Sequence, residues 1–133
     1  MNISLSSNME DYLETILILE QENGFARVKQ IAKALDITKP SVSAALKKLE
    51  SASLVKHDKY DLVGLTPQGT KIAEKIYKRH LILKQFLTEV LGVSETIAEQ
   101  DACKIEHTIS SETMNRLIRF VESNTPEKQR GPL

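Results

Sequence analysis

The sequence predicts a mainly α fold: an N-terminal winged helix-turn-helix with a short two-stranded wing, followed by a helical dimerisation domain. Three observations predict it. Two amphipathic helices are separated by only three residues, Asp36-Ile37-Thr38, and the second turns basic side chains outward. An alternating stretch of hairpin length follows them directly. Beyond it the apolar spacing is helical throughout, in stripes that ordinarily need a partner, most often a second copy related by a two-fold axis.

The elements follow in order. "SSNMEDYLETILILEQENG" reads as a helix, with Ser7 and Glu10 spaced as a capping box and Asn23-Gly24 as the stop. Met9, Leu13, Ile16 and Leu17 form its apolar face, and Asp11 and Glu14 are neighbours three apart. A helix over Val28–Leu35 turns Ile31, Ala32 and Leu35 inward. After the turn, Thr38 caps a second helix with Pro40 in its first turn, where a missing N–H costs little. Val42, Ala45, Leu46 and Leu49 face inward, leaving Lys39, Ser41, Ser43, Ala44, Lys47 and Lys48 outside. Leu54–His57 and Leu62–Leu65 are the arms of a hairpin tipped by residues 58–61. Thr66-Pro67 opens a long helix reaching Leu91, with Ile72, Ala73, Ile76, Leu83, Leu87 and also His80 in its stripe. Ser94 caps a helix through Thr108, and a last helix runs from Ser110 or Ser111 to Ser123. The expected organisation is a DNA-binding domain over 1–70, a helical metal-binding and dimerisation domain over 71–123, and a loose polar tail over 124–133.

The chain has 133 residues, 41% of them apolar and 27% charged, as expected of an ordinary folded domain. No apolar run approaches the roughly 20 residues of a membrane span. The N-terminus lacks the basic and apolar regions of a secretory signal, and the one cysteine makes no internal disulfide, so the cytoplasm is expected. Net charge is zero, but its distribution is uneven. Residues 1–26 carry five acids and no Lys or Arg, residues 27–84 carry thirteen Lys/Arg against five acids, and residues 85–133 carry five against eight. A basic middle between acidic ends is the footprint of a nucleic-acid reader, although charge runs also arise on any solvated face.

Residues 101–110, "DACKIEHTIS", place Cys103, Glu106 and His107 at i, i+3 and i+4, where they can converge. Thiolate, carboxylate and imidazole are all donors for a first-row divalent metal, and three seldom complete a coordination sphere. Further candidates are Asp11, Glu14 and His80. Each has a plainer reading: His80 as a core histidine, Cys103 as a small buried hydrophobe, Asp11 and Glu14 as first-turn acids favoured by the helix dipole. Cys103 and His107 could also form a thiolate–imidazole pair for catalysis, but no glycine-rich turn or oxyanion hole accompanies them. A winged-helix regulator sensing something other than metal also fits.

Taken in order, "MEDYLETI", "VKQIAKALDITKPSVSAALKKLE", "GLTPQGTKIA", "RHLILKQFL" and "CKIEHTIS" resemble the metal-dependent repressors of the diphtheria toxin repressor and MntR type, over residues 8–122. The resemblance implies a two-fold dimer that binds palindromic operators of metal-uptake genes, with Fe(II) or Mn(II) as co-repressor. It places the metal ligands at Asp11, Glu14, His80, Cys103, Glu106 and His107. Asp11 and Glu14 follow the manganese branch; Cys103 stands where that branch has glutamate and follows the iron branch. Lys84 replaces an iron-branch glutamate that serves an ancillary site, and on length the third domain of that branch is not expected. The thiolate tilts preference toward Fe(II), and in vitro toward Co, Ni or Zn, while the carboxylates favour Mn(II). Because the thiol must lose its proton to bind, affinity is expected to rise with pH. The resemblance puts Thr38, Pro40 and Ala44 at base-contact positions. Ala44 replaces an iron-branch glutamine and is limited to an apolar contact. Lys39, Lys47, Lys48, Arg27 and Lys59 are the expected phosphate contacts.

Overall fold

A computed structural model describes residues 6–124; the expected tail, apart from Asn124, lies outside the described residues. The element order is α1 (Ser7–Asn23), β1 (Ala26–Arg27), α2 (Val28–Leu35), α3 (Lys39–Ser51), β2 (Val55–His57), β3 (Leu62–Leu65), α4 (Pro67–Gln85), a π-helical turn (Phe86–Val90), α5 (Glu95–Ile105) and α6 (Ser111–Asn124). The chain divides into two compact units, Met1–Lys75 and Ile76–Leu133, with the boundary inside α4. Among the described residues no helix is long and apolar enough to cross a membrane.

In the first unit, α1 starts one residue earlier than its capping motif suggested. Ser6, not Ser7, is the cap: its Oγ accepts from the Met9 amide at 3.2 Å, and its carbonyl accepts from Glu10 N at 3.0 Å. That register puts Glu10 one position beyond the capping-box site. Gly24, at φ 83, stops the helix with its amide on the Glu20 carbonyl. The α2–α3 corner matches its sequence reading. Asp36 takes φ 55 to close α2, and Thr38 Oγ1 accepts from the Ser41 amide at 3.2 Å to open α3. Ile16, Ile31, Val42, Leu46, Leu49 and Leu54 are at most 1% exposed. Each such side chain stabilises the fold by about 1.5–3 kcal/mol relative to exposure.

The wing differs from the two strands expected. Its sheet has three antiparallel strands in the order β1-β3-β2, with Val55 opposite Leu65 and Ala26 opposite Val63. A strand of two residues has no alternation to read, which is why β1 escaped the sequence. At the hairpin tip, Asp58 Oδ1 accepts from the amides of Tyr60 at 2.8 Å and Leu62 at 3.0 Å. The exit from the wing is tightly built. Thr66 Oγ1 donates to the Ser53 carbonyl at 2.7 Å and accepts from the Gly69 amide at 3.0 Å. A Cβ at Gly69 would overlap the backbone carbonyl of Leu54, so only glycine fits there.

The second unit has a small core of its own, where the stripes had suggested none. Leu83, Leu87, Ala98, Ala102 and Met114 are buried together, with Phe86, Val93, Ile105, Ile109, Leu117 and Ile118 packed around them. The long helix, expected to run unbroken to Leu91, widens to π geometry at Phe86 and ends at Gly92, φ 73. Ser94 stands at the cap position of α5 but makes no side-chain cap hydrogen bond. As an α-helix α5 ends at Ile105, three residues short of the Thr108 expected.

Candidate metal centre and nucleic-acid face

The donor residues read from the sequence lie on α1, on α4, and on α5 and the turn that closes it. Asp11 and Glu14 lie in the N-terminal half of α1, in the first unit, where Asp11 is half-buried and Glu14 buried. Burying a carboxylate is unfavourable without compensation, so Glu14 is more than a solvated first-turn acid. Its neighbour Tyr12 is buried too, and desolvation raises its hydroxyl above the ordinary value of 10.0. The phenol therefore stays neutral and adds no charge beside the two acids.

The other four donors belong to the second unit. His80 is buried on α4, with Nδ1 3.4 Å from Glu106 Oε1 and Nε2 2.6 Å from Glu99 Oε2. Glu106 takes helical dihedrals at the C-cap of α5, its amide bonded to the Ala102 carbonyl at 3.0 Å. The same Oε1 of Glu106 is 3.5 Å from Nε2 of His107. Cys103 Sγ and a ring nitrogen of His107 lie within 4.8 Å of each other. The triplet that was expected to meet at one point is therefore resolved into two pairs, Cys103 with His107 and Glu106 with His80. Glu106 Oε1 lies between the two imidazoles.

Glu106 tests whether a cation suits this site. Its side chain is 0% exposed, and among the described residues neither carboxylate oxygen has a hydrogen-bond partner. A buried carboxylate without hydrogen bonds is costly and rare, and a divalent cation beside two imidazoles removes the cost. The donor set of carboxylate, imidazole and thiolate fits a transition metal better than Mg or Ca, which take oxygen ligands.

Glu99 was not among the residues singled out in the sequence. It binds His80 directly, and Lys84 Nζ lies 3.8 Å from the same Oε2. A signal was present: Glu99, Cys103 and His107 recur at intervals of four, one helix face. Without knowing that α4 lies against that face, an exposed glutamate reads as surface.

In the first unit, the outer face of α3 is open. Lys39, Pro40, Ser41, Ala44, Lys47 and Lys48 are exposed, and Ser43 is half-buried. Thr38 is exposed, but its hydroxyl is engaged in the cap, 2.8 Å from Ser41 Oγ. Arg27 stacks over Phe25 at 5.2 Å and donates to the Tyr60 carbonyl at 3.4 Å, which ties β1 to the wing tip. Lys59 Nζ lies 5.2 Å from the Tyr60 ring centroid. Basic side chains thus occupy both α3 and the wing.

Two family models match the chain in tandem. Residues 4–63 match the iron dependent repressor N-terminal DNA binding domain, and residues 66–132 match the iron dependent repressor metal binding and dimerisation domain. The HTH-type transcriptional regulator MntR of Geobacillus kaustophilus is 38% identical over 123 residues, covering 92% of this chain and 86% of that protein. Among solved structures, IdeR of T. acidophilum aligns with TM-score 0.77 at 26% identity, over 91% of this chain and 56% of that one. The manganese regulator SloR aligns with TM-score 0.74 at 31% identity, over 90% and 55%. The chain spans about half the length of these two solved proteins.

Proposed function

This chain belongs to the iron-dependent repressor family, and on that premise we propose that it is a metal-responsive, DNA-binding transcriptional repressor acting as a homodimer in the cytoplasm. Glu106 carries the metal-responsive part of this reading: a fully buried carboxylate with no hydrogen-bond partner among the described residues, beside the nitrogens of His80 and His107.

The proposed ligands are Asp11, Glu14, His80, Cys103, Glu106 and His107. When bound, a divalent cation would supply positive charge to offset the carboxylates and the thiolate that hold it. The residues themselves do the rest. His80 and His107 present neutral nitrogens, and Cys103 gives up its proton to bind as thiolate. Asp11 and Glu14 rise from the DNA-reading unit and the other four donors from the dimerising unit. A common ligand set would therefore narrow the range of separations available to the two reading heads of the dimer. Palindromic half-sites about 34 Å apart would be matched best by the narrowed range. On DNA, α3 enters the major groove. Lys39, Lys47 and Lys48 contact phosphates, with Arg27 and Lys59 contributing from the wing side. Thr38, Pro40, Ser41, Ser43 and Ala44 face the base edges.

The physiological metal is proposed as Fe(II) or Mn(II). Cys103 favours iron and the carboxylates favour manganese, with Co, Ni and Zn able to substitute in vitro. The test is Glu106→Gln, which keeps size and loses charge. DNA affinity is measured on a duplex selected from random sequences by the metal-loaded protein. The wild type gains affinity with Mn(II) or Fe(II), and the variant does not. Intact metal dependence in the variant would refute the ligand assignment.

A further inference from the structure

His80 has two ring nitrogens, and the structure gives them different neighbours. Nε2 is held by Glu99 Oε2 at 2.6 Å, while Nδ1 faces Glu106 Oε1 at 3.4 Å. Glu99 is in turn fixed by Lys84, whose Nζ is 3.8 Å from that same oxygen. We infer that Glu99, steadied by Lys84, is a positioning residue that fixes the ring orientation and tautomer of His80, so that Nδ1 is the nitrogen offered to the metal.

The chemistry follows from the hydrogen bond. A neutral imidazole donates through one nitrogen and can bind metal only through the other. Both nitrogens face carboxylates, which accept only, but Glu99 is at hydrogen-bond distance of Nε2, 2.6 Å, and Glu106 stands back from Nδ1 at 3.4 Å. The neutral ring therefore carries its proton on Nε2 and keeps the Nδ1 lone pair for a cation shared with Glu106. Carboxylate–histidine–metal relays of this kind both orient the ring and strengthen it as a ligand. Glu99 is suited to this role and poorly suited to structural support. Its side chain is 54% exposed, and its pair with Lys84 is solvated, so neither contributes much to stability. The ring it holds is only 8% exposed. Lys84 also gives Glu99 a cationic partner within the chain.

This inference rests on the metal-sensing reading above, and the test separates the two. Mn(II) affinity is measured for the full-length wild type and for Glu99→Ala, Glu99→Gln and Lys84→Ala, following the paramagnetic resonance signal of the free ion. Long-range proton–nitrogen correlation spectra report the His80 tautomer in the metal-free proteins at mildly alkaline pH. Glu99→Ala is expected to bind Mn(II) about 10–100-fold more weakly and to lose the dominance of the Nε2–H form. Glu99→Gln, whose amide oxygen still accepts, restores most of both. Lys84→Ala falls between Glu99→Ala and the wild type. A Gln variant as weak as the Ala variant would make Glu99 a ligand and overturn the positioning role. So would a Glu99→Ala protein with wild-type affinity and tautomer, or a cadmium-loaded protein with His80 bound through Nε2. A wild type that binds no Mn(II), Fe(II) or Co(II) overturns the metal-sensing reading itself, and the inference with it.

Discussion

Glu106 places Oε1 3.4 Å from Nδ1 of His80, with the glutamate side chain fully withdrawn from solvent. The two residues are 26 positions apart in sequence, one on the long helix and the other closing the next. A histidine and a carboxylate in this arrangement leave room for a cation to act on both. If they do, metal and fold are thermodynamically linked, because the unfolded chain lacks the arrangement.

That linkage predicts a thermal shift. At a metal concentration 100 times the dissociation constant, binding stabilises the native state by about 2.7 kcal/mol. For a chain of this size the shift in Tm is about 10 °C. Calorimetry with and without excess Mn(II) should show this rise for the wild type and none for Glu106→Gln.

Cys103 predicts a metal preference. Replacing it with glutamate substitutes a hard oxygen for a soft sulfur. In Cys103→Glu, the ratio of Co(II) to Mn(II) affinity should fall by about tenfold or more, equivalent to about 1.4 kcal/mol. The variant should also release fewer protons on binding Co(II), as measured by titration calorimetry in buffers of differing ionisation enthalpy. An unchanged ratio and proton count would remove Cys103 from the ligand set.

The open face of α3 predicts a division between affinity and specificity. Lys47→Ala and Lys48→Ala should weaken binding on all duplexes alike and reduce the slope of log affinity against log salt by about one each. Ala44→Gln should leave that slope unchanged and alter the preferred sequence, since it adds a side chain able to pair with adenine. Binding titrations over a salt series, together with sequence selection, check both.

Gly69 predicts a structural cost. An alanine there meets the Leu54 carbonyl, and overpacking of this kind typically costs about 1–3 kcal/mol. Gly69→Ala should lower the urea midpoint while leaving the fractional response to metal intact in whatever protein remains folded.

Much of this fold was legible because its signals are local. Thr38 with Pro40, the three-residue corner and the inward set Val42, Ala45, Leu46 and Leu49 all lie within one stretch of chain, and the structure repeats them. The parts that escaped depend on contacts distant in sequence. β1 exists only because Leu62 and Val63 pair with it. Gly69 is required only because Leu54 comes close. The approach of Glu106 to His80 joins residues 26 positions apart on different helices, which helix spacing alone does not reveal. Glu99 shows the limit most plainly. Its spacing put it on the face of Cys103, but its significance depends on His80, 19 residues earlier on another helix.

The most direct test is an anaerobic titration of the affinity of the selected duplex against Mn(II) and Fe(II), paired with metal titrations in the presence and absence of that duplex. The account predicts that metal raises DNA affinity by about 5–150-fold and that DNA raises metal affinity by the same factor, as linkage requires. DNA binding that is equally tight at every concentration of either metal would contradict it.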